Sequence, residues 1–286
     1  MENHRRVFCY ALLLVILTLP LSAQQLVLPL HSGSIRFAAF GDMGTGTQRQ
    51  YEVAAQMAAV RKQFPFEFVI TLGDNIYGGN APADYKNKFE LPYSALLEGG
   101  VKFFAALGNH DNAATQKAYK PFNMNGEQYY SFRKGNVEFF ALDSNYMDPK
   151  EIAWLKKGLE GSNADWKICY FHHPLYSSAR FHGPSVELRT ILEPIFITNH
   201  VQVVFTGHEH VYERLKPQKG IYYFIEGAAG ELRRGDLKKT SQTAAGYDQD
   251  QSFLLVEISG DELNFQAINR MGKTIDYGLI GRQKTK

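Results

Sequence analysis

Cysteine is almost missing from this 286-residue chain, which contains only two. Cys9 lies in an N-terminal apolar run and Cys169 stands alone in the remainder, so neither an internal disulfide nor a thiolate zinc site is expected. A large net charge is also missing, since the chain has 31 Lys and Arg residues and 29 Asp and Glu residues. This balance gives no electrostatic reason to expect nucleic-acid or membrane-surface binding. No apolar run after residue 21 approaches the length of a membrane span.

The N-terminus has the pattern of an export signal. A basic start is followed by the apolar residues 7–21 and by the small residues Ser22 and Ala23. We therefore predict a signal peptide over residues 1–23, followed by one mature domain over residues 24–286 that is exported to the periplasm or the extracellular space. An uncleaved N-terminal membrane anchor is the alternative, because an apolar run of about 15 residues is long for a signal core and short for a span of about 20.

Local pattern predicts mixed α/β structure. Three apolar runs each end in glycine plus a polar side chain, which is typical of strands that carry functional groups at their carboxyl ends. In open α/β sheets, ligands bind beyond the carboxyl ends of the strands, so we expect Asp42, Asp74 and Asn109 to share one rim. The runs are residues 35–40, 67–72 and 101–107, with a helix over residues 48–62 between the first two.

Later segments continue this alternation. A β-hairpin is predicted around the turn at residues 134–136, and an irregular, mobile loop over residues 231–251, which lack apolar periodicity. We expect Pro194 to end or kink its helix. Helices are predicted over residues 149–159 and 186–196, and strands over residues 129–133, 137–142, 166–171, 201–205, 221–225, 252–258 and 263–268.

Five short motifs place metal-binding side chains after apolar runs. Their carboxylate, amide, phenolate and imidazole groups suit iron, zinc or manganese. Any one of them alone has an ordinary interpretation, such as a turn aspartate or a half-buried tyrosine. The whole ordered series favours a site for two metals. The motifs are Gly41-Asp42-Met43-Gly44, Gly73-Asp74-Asn75-Ile76-Tyr77, Gly108-Asn109-His110-Asp111, His172-His173-Pro174 and Gly207-His208-Glu209-His210.

This series resembles that of the calcineurin-like metallophosphoesterases and, within them, the purple acid phosphatases of the short, mammalian-like bacterial-type form. The resemblance spans roughly residues 35–230, and one motif departs from the family pattern, because Cys169 stands where the family has valine. The resemblance implies an α/β fold of two packed mixed β-sheets flanked by helices, an α/β/β/α sandwich, for the catalytic domain over residues 24–286.

The resemblance also implies the metal ligands. A phenolate is a hard oxygen donor that favours iron(III), so iron(III) is expected beside Tyr77, and iron(II), zinc or manganese in the second site. By resemblance, the first metal is bound by Asp42, Tyr77 and His210, the second by Asn109, His172 and His208, and Asp74 bridges both and so takes part in catalysis.

The implied activity is that of an acid phosphatase, in which a metal-bound hydroxide hydrolyses phosphate monoesters at a dinuclear iron(III)/divalent metal centre. His110 and His182 match positions that protonate the leaving group, and Asp111 is suited to orient His110. Phosphodiesterase or nucleotidase activity is the alternative within the superfamily. A non-catalytic metal-dependent binding protein is the alternative of a different class. Small phosphorylated molecules are the expected partners, no nucleic acid is predicted, and the oligomeric state stays open.

Neighbouring residues have ordinary interpretations. His173 is interpreted as a pocket wall or a group behind the ligands, outside the catalytic set. Glu213 either orients a metal-binding imidazole or forms a surface salt bridge. Arg233 and Arg234 are interpreted as solvated surface charges rather than contacts to substrate phosphate.

Overall fold

The computed structural model describes residues 26–282, so the signal peptide predicted over residues 1–23 lies outside the described residues. The helices are α1 (Gln48–Arg61), α2 (Pro82–Tyr85), α3 (Ser94–Glu98), α4 (Ala113–Gln116), α5 (Pro149–Gly161) and α6 (Val186–Thr198), with a π-helical turn at Lys86–Glu90 and a 3-10 turn at Lys120–Phe122. The strands are β1 (Ile35–Phe40), β2 (Phe68–Leu72), β3 (Lys102–Ala106), β4 (Tyr130–Lys134), β5 (Val137–Ala141), β6 (Trp166–Tyr170), β7 (Val203–Thr206), β8 (Tyr212–Leu215), β9 (Tyr222–Glu226), β10 (Thr243–Tyr247), β11 (Ser252–Ser259), β12 (Glu262–Asn269) and β13 (Thr274–Gly281).

These strands form two mixed sheets. The strand order is β13-β12-β11-β1-β2-β3 in the first sheet and β10-β8-β9-β7-β6-β5-β4 in the second. Strands β1, β2 and β3 run parallel, as do β5, β6, β7 and β9. The remaining strands pair antiparallel at the sides of each sheet. The parallel part of each sheet sends the loops at its carboxyl ends to a single edge.

Aromatic side chains pack between the two sheets. Phe139 of β5 stacks on Phe132 of β4, with ring centroids 4.9 Å apart. From the first sheet, Phe37 and Phe68 meet Phe139 edge to face at 5.2 and 5.5 Å. Phe37, Phe68 and Phe139 are buried. Their contacts join the two sheets into one core.

Helices cover the second sheet on its other face. Helix α5 begins after Asp148, whose carboxylate accepts hydrogen bonds from two main-chain N–H groups of the first turn at 2.8 and 2.9 Å. Leu155 and Leu159 of α5 then pack with Phe196 of α6 and Phe140 of β5 in a second apolar cluster. The predicted sandwich of two packed sheets flanked by helices is therefore confirmed. Within residues 26–282, every helix is too short or too polar to cross a membrane.

Three strands were not predicted from the sequence. The prediction of a wholly irregular loop over residues 231–251 is wrong, because β10 lies within it and pairs with β8. The sequence of β10, Thr-Ala-Ala-Gly-Tyr, has no alternation of apolar and polar residues, and its pairing partner lies far away in the chain. Strands β8 and β13 also lie outside the predicted elements.

Pro194 does not end its helix. Helix α6 continues past it to Thr198. In an uninterrupted helix the N–H at position 194 would donate to the carbonyl of Thr190. Proline has no N–H, but Thr190 is exposed, so water can donate to this carbonyl instead.

Replacing Phe139 by alanine tests the shared core. Because the buried ring touches aromatic side chains from both sheets, Phe139→Ala should lower the free energy of unfolding by about 3–5 kcal/mol. The control is Tyr277→Ala on β13, where the side chain is 62% exposed and the change should stay within about 0.5 kcal/mol. Urea unfolding measures both, and equal effects of the two substitutions would contradict this description of the core.

Candidate metal centre

The candidate centre lies where the carboxyl ends of parallel strands from both sheets meet. The main-chain N–H of Asp42, after β1, donates to the carbonyl of Gly73, after β2, at 2.9 Å. Asp42, Asp74 and His208 have φ angles of 55°, 51° and 69°. Non-glycine residues rarely adopt positive φ, and such strain concentrates at functional turns.

Two motif glycines leave the space that the polar side chains fill. A Cβ at Gly108 would lie 2.2 Å from Oδ1 of Asp74. Gly73 has a φ of +88°, and a Cβ there would lie 2.6 Å from Nδ1 of His172. A side chain at either glycine would displace a predicted ligand, so the motifs require glycine at these positions.

Asp42, Asp74 and His210 form the first group of potential metal ligands. All three are buried, and their ligand atoms lie within 4.8 Å of one another. Nε2 of His210 is 3.3 Å from Oδ1 of Asp42. The Tyr77 hydroxyl lies 3.1 Å from that carboxylate oxygen and 3.4 Å from the same imidazole nitrogen. The structure thus brings together the residues that the sequence assigns to the first metal.

The second group surrounds His172. Its Nδ1 lies 2.9 Å from the carbonyl oxygen of Leu72, so Nδ1 carries the proton and the lone pair of Nε2 faces the site. This Nε2 is 2.9 Å from Oδ1 of Asn109 and 3.1 Å from Nδ1 of His208. It is also 3.5 Å from Oδ2 of Asp74, which therefore lies beside both groups.

These separations fit a pair of cations. Ligands bound to one metal at about 2.0–2.2 Å lie roughly 3 Å from one another. The Tyr77–Asp42, His172–Asn109 and His172–His208 ligand atoms are 3.1, 2.9 and 3.1 Å apart. The oxygen and imidazole donors, arranged in two neighbouring groups, indicate a dinuclear metal centre and do not identify the metals.

The acidic members of the centre are unfavourable without a cation. Burial, and then the neighbouring Asp74 carboxylate, raises the pKa of Asp42 well above its usual range. Burial also raises the pKa of the Tyr77 phenol, and the Asp42 carboxylate raises it further. A bound cation reverses this preference, because it favours the charged form of each group.

The imidazoles of the centre are held neutral. Burial is the main cause that lowers the pKa of His172 and of His208. Burial, with the Arg233 guanidinium as the next cause, lowers the pKa of His210 to about 4. Neutral imidazoles keep the lone pairs that metal binding requires.

His173 is a residue that sequence reasoning left out of the ligand set. His172, His173 and His208 form a group whose potential ligand atoms lie within 4.8 Å of one another. Nδ1 of His173 is 2.9 Å from Oγ of Ser144. The adjacent pair of histidines in the motif was the available signal, but the sequence does not show which ring of a pair faces the site.

His110 and His182 lie outside the two groups but beside them. The His110 ring is 4.8 Å from the Tyr77 ring, and the His182 ring is 4.0 Å from the His208 ring. Both histidines are exposed, so a substrate at the centre can contact them. The main-chain N–H of His110 donates to Oδ1 of Asp74 at 2.9 Å.

Asp111 does not orient His110, and that expectation is wrong. Its carboxylate accepts hydrogen bonds from the main-chain N–H groups of Asn75, Ile76 and Gly108 at 2.8, 3.1 and 2.8 Å. The side chain therefore joins the loop after β2 to the loop after β3. Because these loops carry candidate ligands, Asp111 positions them relative to each other.

Arg233 is not a freely solvated surface charge. Its Nε lies 3.3 Å from Nδ1 of His210, and its guanidinium lies 3.3 Å from the centre of the Phe181 ring. Arg234 does remain exposed, and its side chain donates to the carbonyl of Gln249 at 2.7 Å. The loop over residues 231–251 thus contributes Arg233 to the edge of the site.

Glu213 takes neither of its expected roles. It is buried, and its carboxylate accepts hydrogen bonds from the main-chain N–H of Ser178 and from the Thr243 hydroxyl, both at 2.8 Å. Glu209, buried between two candidate ligands, accepts from the main-chain N–H of Gly183. These two glutamates fix the loop that bears His182.

Comparisons with known proteins agree with this geometry. The family model described as calcineurin-like phosphoesterase matches residues 35–212. Purple acid phosphatase 4 of Arabidopsis thaliana is 26% identical over 275 residues, which cover 82% of this chain and 80% of that protein. Tartrate-resistant acid phosphatase type 5 of Mus musculus is 26% identical over 292 residues, which cover 85% of this chain and 89% of that protein.

One of the similar solved structures is GAP50, described as the anchor in the inner membrane complex of Plasmodium. It matches with a TM-score of 0.77 and 22% sequence identity, over 88% of this chain and 90% of that chain. At 22% identity this similarity shows a shared fold and does not indicate a shared function.

Removing the Asp111 carboxylate tests its role in joining the two loops. Asp111→Ala leaves three main-chain N–H groups without their partner, each worth about 1–3 kcal/mol when buried, so the metal-free protein should lose roughly 3 kcal/mol or more of stability. Metal binding, followed by calorimetry, should weaken as well. Asp165→Ala is the control. This half-exposed carboxylate forms an ion pair with Arg282 at 3.3 Å, and loss of such an exposed pair should cost under about 1 kcal/mol. Equal, small effects of both substitutions would show that Asp111 does not join the loops.

Proposed function

Because the chain belongs to the calcineurin-like phosphoesterase family, we propose that it hydrolyses small phosphate monoesters at a dinuclear metal centre, as an acid phosphatase. The family and the acid phosphatases among its relatives support a metal-dependent phosphatase. The convergence of buried carboxylates and neutral imidazoles at one edge of the sheets carries the proposal.

The first cation of this proposal is iron(III), and the second is iron(II), zinc or manganese. When bound, the pair supplies Lewis acidity toward the phosphoryl group and lowers the pKa of water so that a nucleophile exists at acidic pH. Asp74 lies between the groups, where one carboxylate can serve both cations. Asp42, Tyr77 and His210 would hold the first cation, and Asn109, His172 and His208 would hold the second.

Protonation of the leaving group falls to His110 and His182, the exposed histidines at the edge of the centre. Burial, with Arg233 as the next cause, lowers the pKa of His182. The protonated imidazole is the form that donates, and it becomes less populated as the pH rises. Hydrolysis that depends on His182 therefore declines from acidic toward neutral pH.

The fold alone does not distinguish an enzyme from a binding protein. GAP50 has a similar fold and is described as an anchor. Two neighbouring groups of ligand atoms, with exposed histidines beside them, favour turnover over binding. Phosphodiesters remain the competing substrate class, and the ratio of rates on matched monoester and diester substrates tests this choice directly.

Tyr77→Phe tests the metal assignment. The loaded wild-type protein should contain two metals, one of them iron, hydrolyse phenyl phosphate, and show a broad visible band from the phenolate at iron(III). Tyr77→Phe should lose the band, whereas Tyr277→Phe, an exposed residue on β13, should keep it. Metal analysis and absorbance spectroscopy give the readout. A fully loaded, active and colourless wild-type protein would refute the iron(III) assignment while leaving the phosphatase in place.

Export to the periplasm or the extracellular space is part of the same proposal, and it rests on the basic start and apolar run of the first 23 residues. Protein purified after expression of the whole chain should begin at Gln24, and it should be found outside the cytoplasm. Edman sequencing and cell fractionation test this. An intact N-terminus in the membrane fraction would support the anchor instead.

A further inference from the structure

A groove opens directly from the second group of candidate ligands. It has a volume of about 370 Å³, within the size range of small-molecule sites. We propose that this groove binds the leaving group of the substrate and selects monoesters whose leaving group is aromatic and carries no negative charge, an inference that rests on the proposed function. Its lining includes Asn109, Gln128, Asp143, Asn145, Tyr146 and His173.

The position of the groove makes it a leaving-group site. Asn109 lines it and also lies 2.9 Å from Nε2 of His172, so one end of the groove is the candidate centre itself. His173, which lines the same end, is in ring contact with His208 at 4.4 Å. A phosphoryl group held at the centre therefore has the groove next to it, and the ester substituent can extend into it.

The polar wall of the groove is held in a fixed arrangement. Asp143 follows β5 and is only 5% exposed. Its carboxylate accepts hydrogen bonds from the main-chain and side-chain nitrogens of Asn145 at 3.1 and 2.8 Å, and from Nε2 of Gln128 at 3.1 Å. Its own N–H donates to Glu151 of α5 at 2.8 Å. A buried carboxylate thus sets the orientation of two amide side chains at the groove, where their carboxamides can bond polar atoms of a ligand.

Tyr146 supplies the aromatic surface. Its side chain is 85% exposed, and among the described residues it has neither a ring contact nor a side-chain hydrogen bond. A ring left open to water beside a catalytic centre is available to stack on another ring. On another side of the centre, Phe181 is also exposed, but the Arg233 guanidinium already covers its ring at 3.3 Å. The free aromatic face therefore belongs to the groove that Tyr146 lines.

Among the described residues, the lining of the groove offers an anionic leaving group no lysine or arginine. Asp111 and Asp143 also line it, and burial raises the pKa of both carboxyl groups, that of Asp111 to about 7. A leaving group with its own phosphate or carboxylate would lose water there without a lysine or arginine to pair with it. Neutral aryl and nucleoside leaving groups fit the groove, whereas pyrophosphate and nucleoside polyphosphates do not.

Tyr146→Ala is the central test, with Tyr146→Phe as the matched control that keeps the ring. Phenylphosphonate and methylphosphonate, which are not hydrolysed, are titrated calorimetrically into the metal-loaded protein. Tyr146→Ala should weaken phenylphosphonate binding about three- to tenfold, the range for loss of one aromatic pair, and change methylphosphonate binding less than about twofold. Tyr146→Phe should match the wild type with both ligands. Phenylphosphonate carrying a ring carboxylate should bind more weakly than phenylphosphonate itself.

The other outcomes separate this inference from the proposed function. Hydrolysis of both phenyl phosphate and glycerol phosphate by the wild type upholds the phosphatase, whatever the variants do. An equal change of both phosphonates in Tyr146→Ala, or loss of the phenyl preference in Phe181→Ala instead, overturns the assignment of the groove. A wild type that hydrolyses neither ester refutes the proposed function, while the phosphonate titrations still report on the groove.

Discussion

Two buried carboxylates that face each other are the constraint on which the rest of this structure depends. The ligand atoms of Asp42, Asp74 and His210 lie within 4.8 Å of one another, and burial with the neighbouring Asp74 raises the pKa of Asp42. Like charges placed this close in a dry site are unfavourable unless a cation joins them. The nearby imidazoles are held neutral, so they add lone pairs instead of positive charge. The centre is thus built to receive cations.

The fold produces this arrangement because the carboxyl ends of its parallel strands lie next to one another. Asp42 and Asp74 follow adjacent parallel strands, β1 and β2, and turn sharply with positive φ. Gly73 and Gly108 leave the space for the side chains, and Asp111 joins the loops after β2 and β3. The second sheet supplies the histidines that complete the centre. Aromatic packing between the sheets therefore holds these histidines beside the carboxylates of the first sheet. The same packing therefore stabilises the fold and positions the candidate ligands.

Local pattern predicted only mixed α/β structure, and the sandwich followed from the family resemblance that the motifs carry. The adjacency of the predicted ligands was accessible from the sequence because each motif combines a strand end with its polar group. Their role as metal ligands stays a prediction. Features that depend on distant pairing were missed. Strand β10 has no apolar alternation and exists through its partner β8, while Asp111 and Arg233 take their roles from groups on other loops. His173 shows the remaining limit, since adjacent histidines in a loop do not reveal which ring turns inward.

The most direct test of the central claim is X-ray diffraction from crystals of the metal-loaded protein, recorded at the absorption edges of iron and of the second metal. Two anomalous peaks should appear about 3.5–4 Å apart, with the Asp74 carboxylate between them and the iron peak beside Tyr77. A single peak, or a metal pair away from Asp42 and Asp74, would contradict the account.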